Sequence, residues 1–178
     1  MNEVSIGFRV SPTEIHYSIV ENNKDNFTFI SISSLKIPIS IDDPGKLSFI
    51  RNTVSTILAQ YGVKFAGIKL IEGNARGSIN NALIFRFNVE GVLMELFSTS
   101  SIVKYFLGVT SNISSILNIK KDKPQIMLDQ ILDANDYLTD NDKKVTGEYK
   151  EAMLVALAAM EVGLKDEWYH NIYKVYQK

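Results

Sequence analysis

The stretch Phe65–Gly108 decides the fold and reads FAGIKLIEGNARGSINNALIFRFNVEGVLMELFSTSSIVKYFLG. Its first apolar run, Gly67–Glu72, predicts a strand whose buried face ends in the Glu72 carboxylate, because alternate strand residues share a face. After a turn, apolar residues recur at helical spacing: Ala82, Phe85, Val89, Val92 and Leu93. The short apolar run Met94–Phe97 predicts a second strand, although it equally fits the last turn of the helix. Two strands joined through a helix run parallel, so this stretch predicts the centre of an α/β sheet.

Composition limits the class of protein. A chain of 178 residues with 46% hydrophobic residues can bury one core, which predicts a single domain. The 19 basic and 20 acidic residues nearly cancel, so no global field attracts nucleic acid or a membrane surface. With no cysteine, disulfides and cysteine-ligated zinc are excluded. No apolar run is long enough for a spanning helix and no signal peptide is recognisable, so we expect a cytoplasmic protein.

The residues before the central stretch predict three strands. Val4–Val10 and Glu14–Glu21 alternate in hydrophobicity around a Pro-containing turn, which is typical of an antiparallel hairpin. Phe27–Ser33 adds a third strand. The following segment, Leu35–Ile41, contains a proline and is expected to be an extended connector rather than a ladder strand.

Helices account for most of the remaining chain. Asp43 before Pro44 predicts the start of a helix that stops at Gly62. Three further helices are expected at Ile113–Leu117, from Asp122 to about Ala134, and at Glu148–Val162. The charged stretch Asp136–Lys144 between the last two predicts a solvated loop.

The C-terminal residues differ in composition from the rest. Residues 1–165 are predicted to form the domain, and residues 166–178 an aromatic extension of it. The extension carries four aromatic residues: Trp168, Tyr169, Tyr173 and Tyr176. Aromatic residues are enriched in interface cores, so we expect this segment to dock on the domain or on a second subunit, which would make a homodimer.

Three strands, a helix, two strands separated by a helix, and a late helix with acidic residues is the order of the ribonuclease H-like fold. The sequence also resembles RuvC-type Holliday junction resolvases and an uncharacterised bacterial family of that fold. Four segments carry the resemblance: Ile6-Gly7-Phe8-Arg9, Ile71-Glu72, Ser98 through Lys104 to Gly108, and Glu148-Tyr149-Lys150-Glu151-Ala152. The resemblance implies a five-stranded mixed sheet of order 3-2-1-4-5, with strand 2 antiparallel, flanked by helices.

The resemblance also implies a site. In such enzymes carboxylates hold two magnesium or manganese ions that activate water for phosphodiester hydrolysis. Here Glu72, Glu148 and Glu151 would be the metal ligands and catalytic residues if the chain is active, with Glu14 as a further candidate. Arg9 stands where the first acid is expected, and a guanidinium opposes divalent cations. We therefore expect no cofactor, and expect Arg9 to pair with Glu72 and Glu151 in place of a metal.

Basic residues near Glu72 predict a small nucleic-acid-binding patch made of Lys69, Arg76, Arg86 and Lys104. With net charge −1, DNA or RNA binding should be weak and should fall steeply with salt. The only histidines, His16 and His170, are far apart in sequence and give little support to a catalytic triad or a zinc site.

Three hypotheses for function remain open at this point. The first is a non-catalytic ribonuclease H-like module that binds protein or nucleic acid. The second is a nuclease dependent on magnesium or manganese with an altered carboxylate site. The third is an unrelated regulatory or immunity-type interaction protein that uses the aromatic extension.

Overall fold

A computed structural model describes residues 3–23, 26–72, 80–133 and 136–165. Its strands are β1 (Glu3–Val10), β2 (Glu14–Asn22), β3 (Phe27–Lys36), β4 (Phe65–Lys69) and β5 (Lys104–Gly108). Its helices are α1 (Asp43–Tyr61), α2 (Asn81–Thr99), α3 (Thr110–Leu117), α4 (Pro124–Leu128) and α5 (Gly147–Leu164).

The strands form one five-stranded mixed sheet of order β3-β2-β1-β4-β5. β2 is antiparallel to both β1 and β3, whereas β4 is parallel to both β1 and β5. The α/β class, the strand order and the antiparallel second strand are therefore confirmed.

Two apolar cores lie on the two faces of the sheet. On one face α1 and α2 cover side chains such as Ile6 and Phe8 of β1. On the other face α5, together with α3 and α4, covers the residues of opposite parity, such as Phe65 and Phe106. This alternation is the two-residue period of a strand buried on both faces.

Helix α5 lies unusually close to the sheet. A Cβ atom added at Gly7 of β1 would collide with the main chain of Ala152 and Ala156. At Gly67 of β4 an added Cβ would crowd Val155 and Ala159. Small residues on both sides thus let helix and sheet backbones touch. No helix in the described ranges, α5 included, is long and apolar enough to cross a membrane.

The predicted strand at Met94–Phe97 is wrong, because these residues form the last turns of α2. Leu96 and Phe97 continue the buried face begun by Phe85 and Val89, so the helix gains apolar contacts by continuing. The helix ends only at the polar run after Thr99, and the parallel strand next to β4 is Lys104–Gly108.

Three predicted boundaries also shift. The strand expected at Gly67–Glu72 runs from Phe65 to Lys69, so Glu72 lies beyond its end. The cap of α1 is Asp42 rather than Asp43, since its Oδ1 accepts a hydrogen bond of 2.9 Å from the Gly45 amide. β3 extends to Lys36 and includes the start of the predicted connector.

The charged stretch after α4 is tied to the sheet rather than simply solvated. α4 itself ends at Leu128, earlier than expected. The Asp140 carboxylate accepts hydrogen bonds from Ser31 Oγ at 2.6 Å and from the Ile32 amide at 2.9 Å. The loop therefore binds backbone and side-chain donors of the edge strand β3.

We predict that Gly7→Ala strongly destabilises the protein, by about 3 kcal/mol or more, because the added methyl group pushes α5 away from the sheet. Chemical unfolding monitored by circular dichroism measures the change. Gly91→Ala in α2 is the matched control, since a Cβ there meets no atom within 4 Å. It should stabilise the helix by up to about 1 kcal/mol. Equal stability of the two variants would show that the close packing is not needed.

Candidate functional site

A row of polar side chains crosses the sheet beneath the first turn of α5. Arg9 of β1 lies opposite His16 of β2 and beside Lys69 of β4, and His16 lies opposite Ser34 of β3. Directly paired residues share a face of the sheet, so the four side chains point to the same side. We call Ser34, His16, Arg9 and Lys69 the polar row.

Arg9 connects the polar row to α5. Its Nε donates a hydrogen bond of 2.9 Å to Glu151 Oε2, and its Nη1 donates to the Val10 carbonyl at 2.9 Å. The Arg9 and Glu151 side chains are only 24% and 22% exposed, so this ion pair is partly desolvated. The expected contact between Arg9 and Glu151 is confirmed.

Glu72 has other partners than the expected Arg9. Lys69 Nζ donates to Glu72 Oε1 at 2.7 Å, and Thr110 donates to the same oxygen from its amide at 2.8 Å and its hydroxyl at 2.5 Å. Burial raises the pKa of Glu72, but these hydrogen bonds outweigh it and lower the pKa to about 2. The prediction that Arg9 pairs with Glu72 is thus wrong, because Lys69 of β4 is the nearer cation and binds this carboxylate.

His16 occupies a mostly buried position between acidic groups. Its ring meets that of Tyr149 edge to face, with centroids 4.6 Å apart, and its Nε2 is 3.7 Å from Glu14 Oε2. Its Nδ1 is buried and has no hydrogen-bond partner among the described residues. Burial lowers the pKa of His16, against the opposing effect of Glu14, Glu148 and Glu151.

Hydroxyl groups complete this side of the polar row. Ser34 Oγ donates to Glu14 Oε1 at 2.6 Å, and Tyr149 Oη donates to Ser34 Oγ at 3.2 Å. Glu148 is the outermost acid. The backbone N–H at the start of α5 lowers its pKa, and Arg9 and His16 add smaller effects in the same direction. Glu14 and Glu148 both raise the pKa of His16 electrostatically.

A second buried ion pair borders the site from α2. Arg86 Nε donates to Glu90 Oε1 at 2.9 Å, with side chains 14% and 6% exposed, and Arg86 Nη2 donates to the Lys69 carbonyl at 3.3 Å. Burial raises the pKa of Glu90, while Arg86, Lys69 and Arg9 oppose that shift. Arg86 therefore holds the end of β4.

Among the predicted nucleic-acid-binding residues, the three that the structure describes do not form one patch. Lys69 and Arg86 point inward into ion pairs, as described above. Lys104 donates to the Gly163 and Lys165 carbonyls, and it pairs with Phe65 at the opposite end of β4 from Lys69, about 13 Å along the strand. Arg76 and the aromatic residues of segment 166–178 lie outside the described residues.

Comparison with solved structures identifies the architecture. The structure of RuvC from Thermus thermophilus matches with a TM-score of 0.66 and 12% identity, covering 89% of this chain and 93% of that one. The T. thermophilus RuvC complex with a Holliday junction substrate matches with a TM-score of 0.64, 10% identity and the same coverage. The yeast mitochondrial Holliday junction resolvase matches with a TM-score of 0.62 and 14% identity, covering 97% of this chain and 83% of that one.

The chain has the ribonuclease H-like fold of the RuvC type. At identities of 10 to 14%, these matches show the fold alone. No protein-family model and no curated protein matches the sequence.

The RuvC-type fold implies divalent metal ions, but the residues present do not fit them. Arg9 and Lys69 place two cations side by side where carboxylates would need to converge. Glu151 and Glu72 are bound to those cations instead of facing each other. In the described ranges, no three His, Cys, Asp or Glu side chains are arranged to hold a metal.

Sequence reasoning missed several residues of this site. His16 was considered only as a ligand or base, although the hairpin register places it directly opposite Arg9. Glu90 could have been found from its spacing, because Arg86 and Glu90 lie four residues apart on a largely apolar helix. No pattern in the sequence pointed to Thr110, because only the folded chain brings this residue next to Glu72.

We predict that Arg9→Ala lowers the free energy of unfolding by about 2 kcal/mol, because Glu151 loses its cation. This value lies between the cost of breaking an exposed ion pair and the cost of breaking a buried one. Urea unfolding measures the loss. The matched control is Arg51→Ala, which breaks a pair with Glu95 of similar length whose side chains are both 46% exposed. It should lose less stability than Arg9→Ala. Wild-type stability of Arg9→Ala would contradict this account.

We also predict that His16 makes stability pH-dependent. Its folded-state pKa lies below the ordinary value of 6.5, so the unfolded chain binds the proton more readily. The contribution of His16 to the free energy of unfolding is complete above pH 6.5 and is lost as the pH falls through the lowered pKa of the folded state. Unfolding free energies at about pH 8 and about pH 5 should therefore differ less for His16→Gln than for the wild type. If NMR titration gives His16 of the folded protein a pKa above 6.5, the predicted direction of the pH dependence is wrong.

Proposed function

We propose that this chain is a non-catalytic ribonuclease H-like module that acts by binding a protein or a nucleic acid. The observation that carries the proposal is the Arg9–Glu151 ion pair, at 2.9 Å, with Lys69 beside Arg9 on the same face. The carboxylates that a nuclease of this fold would use for metal ions serve here as partners of fixed cations.

Electrostatics supports this reading. A guanidinium stays protonated in proteins, so the charge of Arg9 cannot be removed to admit a metal ion. At about 4 Å and an effective dielectric constant of about 20, two unit charges repel by about 4 kcal/mol, and a divalent ion doubles that value. Lys69 adds a second repulsion from the neighbouring strand. Two metal ions would therefore have to displace both ion pairs before they could bind.

The same ion pairs have a structural role. Arg9 ties β1 to the first turns of α5 through Glu151, and Lys69 ties the end of β4 to the start of α3 through Glu72 and Thr110. Two helices that enclose the site, α5 and α3, are thereby fixed to the sheet. This is the arrangement expected of a binding scaffold in which acidic side chains hold neighbouring elements together.

The charges bear on the class of partner. One of the similar structures is a RuvC bound to a Holliday junction substrate, which keeps branched DNA among the candidates. The net charge of −1 and the inward direction of Lys69 and Arg86 argue against a strong interaction with DNA. The exposed lysines of the α3–α4 connection, Lys120, Lys121 and Lys123, supply a weak cationic surface. Any DNA binding by this surface should fall steeply with salt.

The decisive experiment combines metal binding and cleavage. We expect no change in melting temperature when magnesium or manganese is added to the wild type, because metal that binds only the folded state would raise it. We also expect no cleavage of branched or single-stranded DNA or of RNA in either metal. Arg9→Asp should instead acquire a metal-dependent rise in melting temperature, since it removes one cation and restores an acid.

Matched control variants distinguish nuclease activity of this chain from the activity of a contaminating nuclease. Glu72→Gln and Glu151→Gln alter two of the candidate metal ligands, whereas Glu161→Gln changes an acid near the other end of α5. Metal-dependent cleavage by the wild type that is lost in the first two variants and kept in the third would replace this proposal by a nuclease with an altered site.

A further inference from the structure

A groove of about 210 Å³ lies beside the C-terminal end of α5. Two of its lining residues, Ile116 of α3 and Leu157 of α5, belong to the core and are 6% and 2% exposed. Two others, Phe27 of β3 and Ile131 after α4, are large apolar residues that are each 39% exposed. We call Phe27, Ile116, Ile131 and Leu157 the α5 groove. A cavity of about 150 Å³ with an apolar lining accepts benzene, so the α5 groove has room for one aromatic ring.

The polar residues of the α5 groove favour an aromatic occupant over an ion. Glu161 and Lys165 line the groove as an ion pair, with Nζ of the lysine 2.9 Å from Oε2 of the glutamate. Asn118, which also lines it, is uncharged. A phosphate or a metal ion would therefore meet no unpaired charge on these three residues. The ring of a tryptophan or tyrosine can instead be buried on the apolar residues while its polar atom stays near solvent.

The chain leaves α5 at the groove itself. The helix ends at Leu164, and Lys165 has an extended backbone with φ −92° and ψ 115°. Lys104 of β5 donates hydrogen bonds from its Nζ to the carbonyls of Gly163 and Lys165, at 3.0 and 3.2 Å. The point at which residues 166–178 begin is therefore fixed to the sheet and lies on the lining of the groove.

The first aromatic residue of that segment follows almost at once. Trp168 is three positions after Lys165, and three residues of chain span at most about 11 Å. A tether this short gives the ring an effective concentration in the millimolar range or above near the groove. The segment of a second copy has no such tether, so the segment of the same chain has the advantage. Tryptophan is also suited to the position, because it buries up to about 250 Å² of surface.

We propose that segment 166–178 docks on the α5 groove of its own chain, with the ring of Trp168 against Phe27 and Ile131. The contact covers two apolar residues of the groove that are otherwise exposed to water. It also occupies the aromatic segment, so a partner protein has to bind at another surface. The groove lies near the opposite end of α5 from Glu148 and Glu151, and the proposal does not depend on the absence of catalysis.

Trp168 is the only tryptophan of the chain, so its fluorescence in the full-length protein tests the contact directly. Its emission in the folded wild type should be blue-shifted relative to the chain unfolded in urea. Acrylamide should quench it at least about twofold less efficiently than in Phe27→Ser, because a docked ring is shielded from solvent. Ile131→Ser removes a different apolar residue of the groove and should expose Trp168 in the same way. Neither wild-type value should depend on protein concentration, since the contact is within one chain.

The matched control is Ile30→Ser, which replaces a residue of the same strand as Phe27. Ile30 is 40% exposed, against 39% for Phe27, and does not line the groove. This variant should keep the emission and the quenching of the wild type, and circular dichroism checks that all three variants are folded.

Two results would overturn the proposal. The first is a Trp168 that is quenched as efficiently in the folded wild type as in the unfolded chain, or that responds to Ile30→Ser as much as to the groove variants. The second is a blue shift that appears only as the protein concentration rises, because the segment would then dock on a second copy.

Discussion

The backbone contact between α5 and the two central strands is the constraint on which the rest of the structure depends. Gly7 and Gly67 have no side chain, and the facing residues of α5 include Ala152, Ala156 and Ala159. Ser5 Oγ of β1 donates to the Ala156 carbonyl at 2.7 Å, which fixes the height of the helix along the strand. With the helix at that height and distance, its first turns place Glu151 within hydrogen-bonding reach of Arg9. The geometry of the site therefore depends on glycine and alanine residues whose side chains carry no functional group.

The same constraint determines how charge is balanced. Beneath this helix the side chains of Arg9 and Lys69 are only 24% and 6% exposed, so each of these cations needs a partner. The structure supplies one carboxylate for each cation: Glu151 for Arg9, Glu72 for Lys69 and Glu90 for Arg86. Glu72 is held ionised by three hydrogen bonds, whereas His16, without such partners at Nδ1, is held neutral by burial.

The fold was largely predictable from the sequence, and the site only in part. The alternation in the first three strands, the start of α1 near Pro44 and its stop at Gly62, and the acidic start of α5 were each readable from local pattern. Met94–Phe97 was misassigned because four apolar residues fit a strand and a buried helical turn equally well. What separates them is whether the preceding helix keeps contact with the core, and this depends on the whole fold.

Site residues were harder to predict for a related reason. The pairing of Arg9 with Glu151 could be predicted because the resemblance places both residues around one position. Glu72 was assigned to Arg9 on the assumption that β4 extends to it, whereas β4 ends at Lys69 and the chain turns away. That end point depends on the register of β4 with β1, which no local pattern in the sequence specifies. Lys69, predicted to belong to a nucleic-acid-binding patch, becomes a buried neighbour of Arg9 through that register.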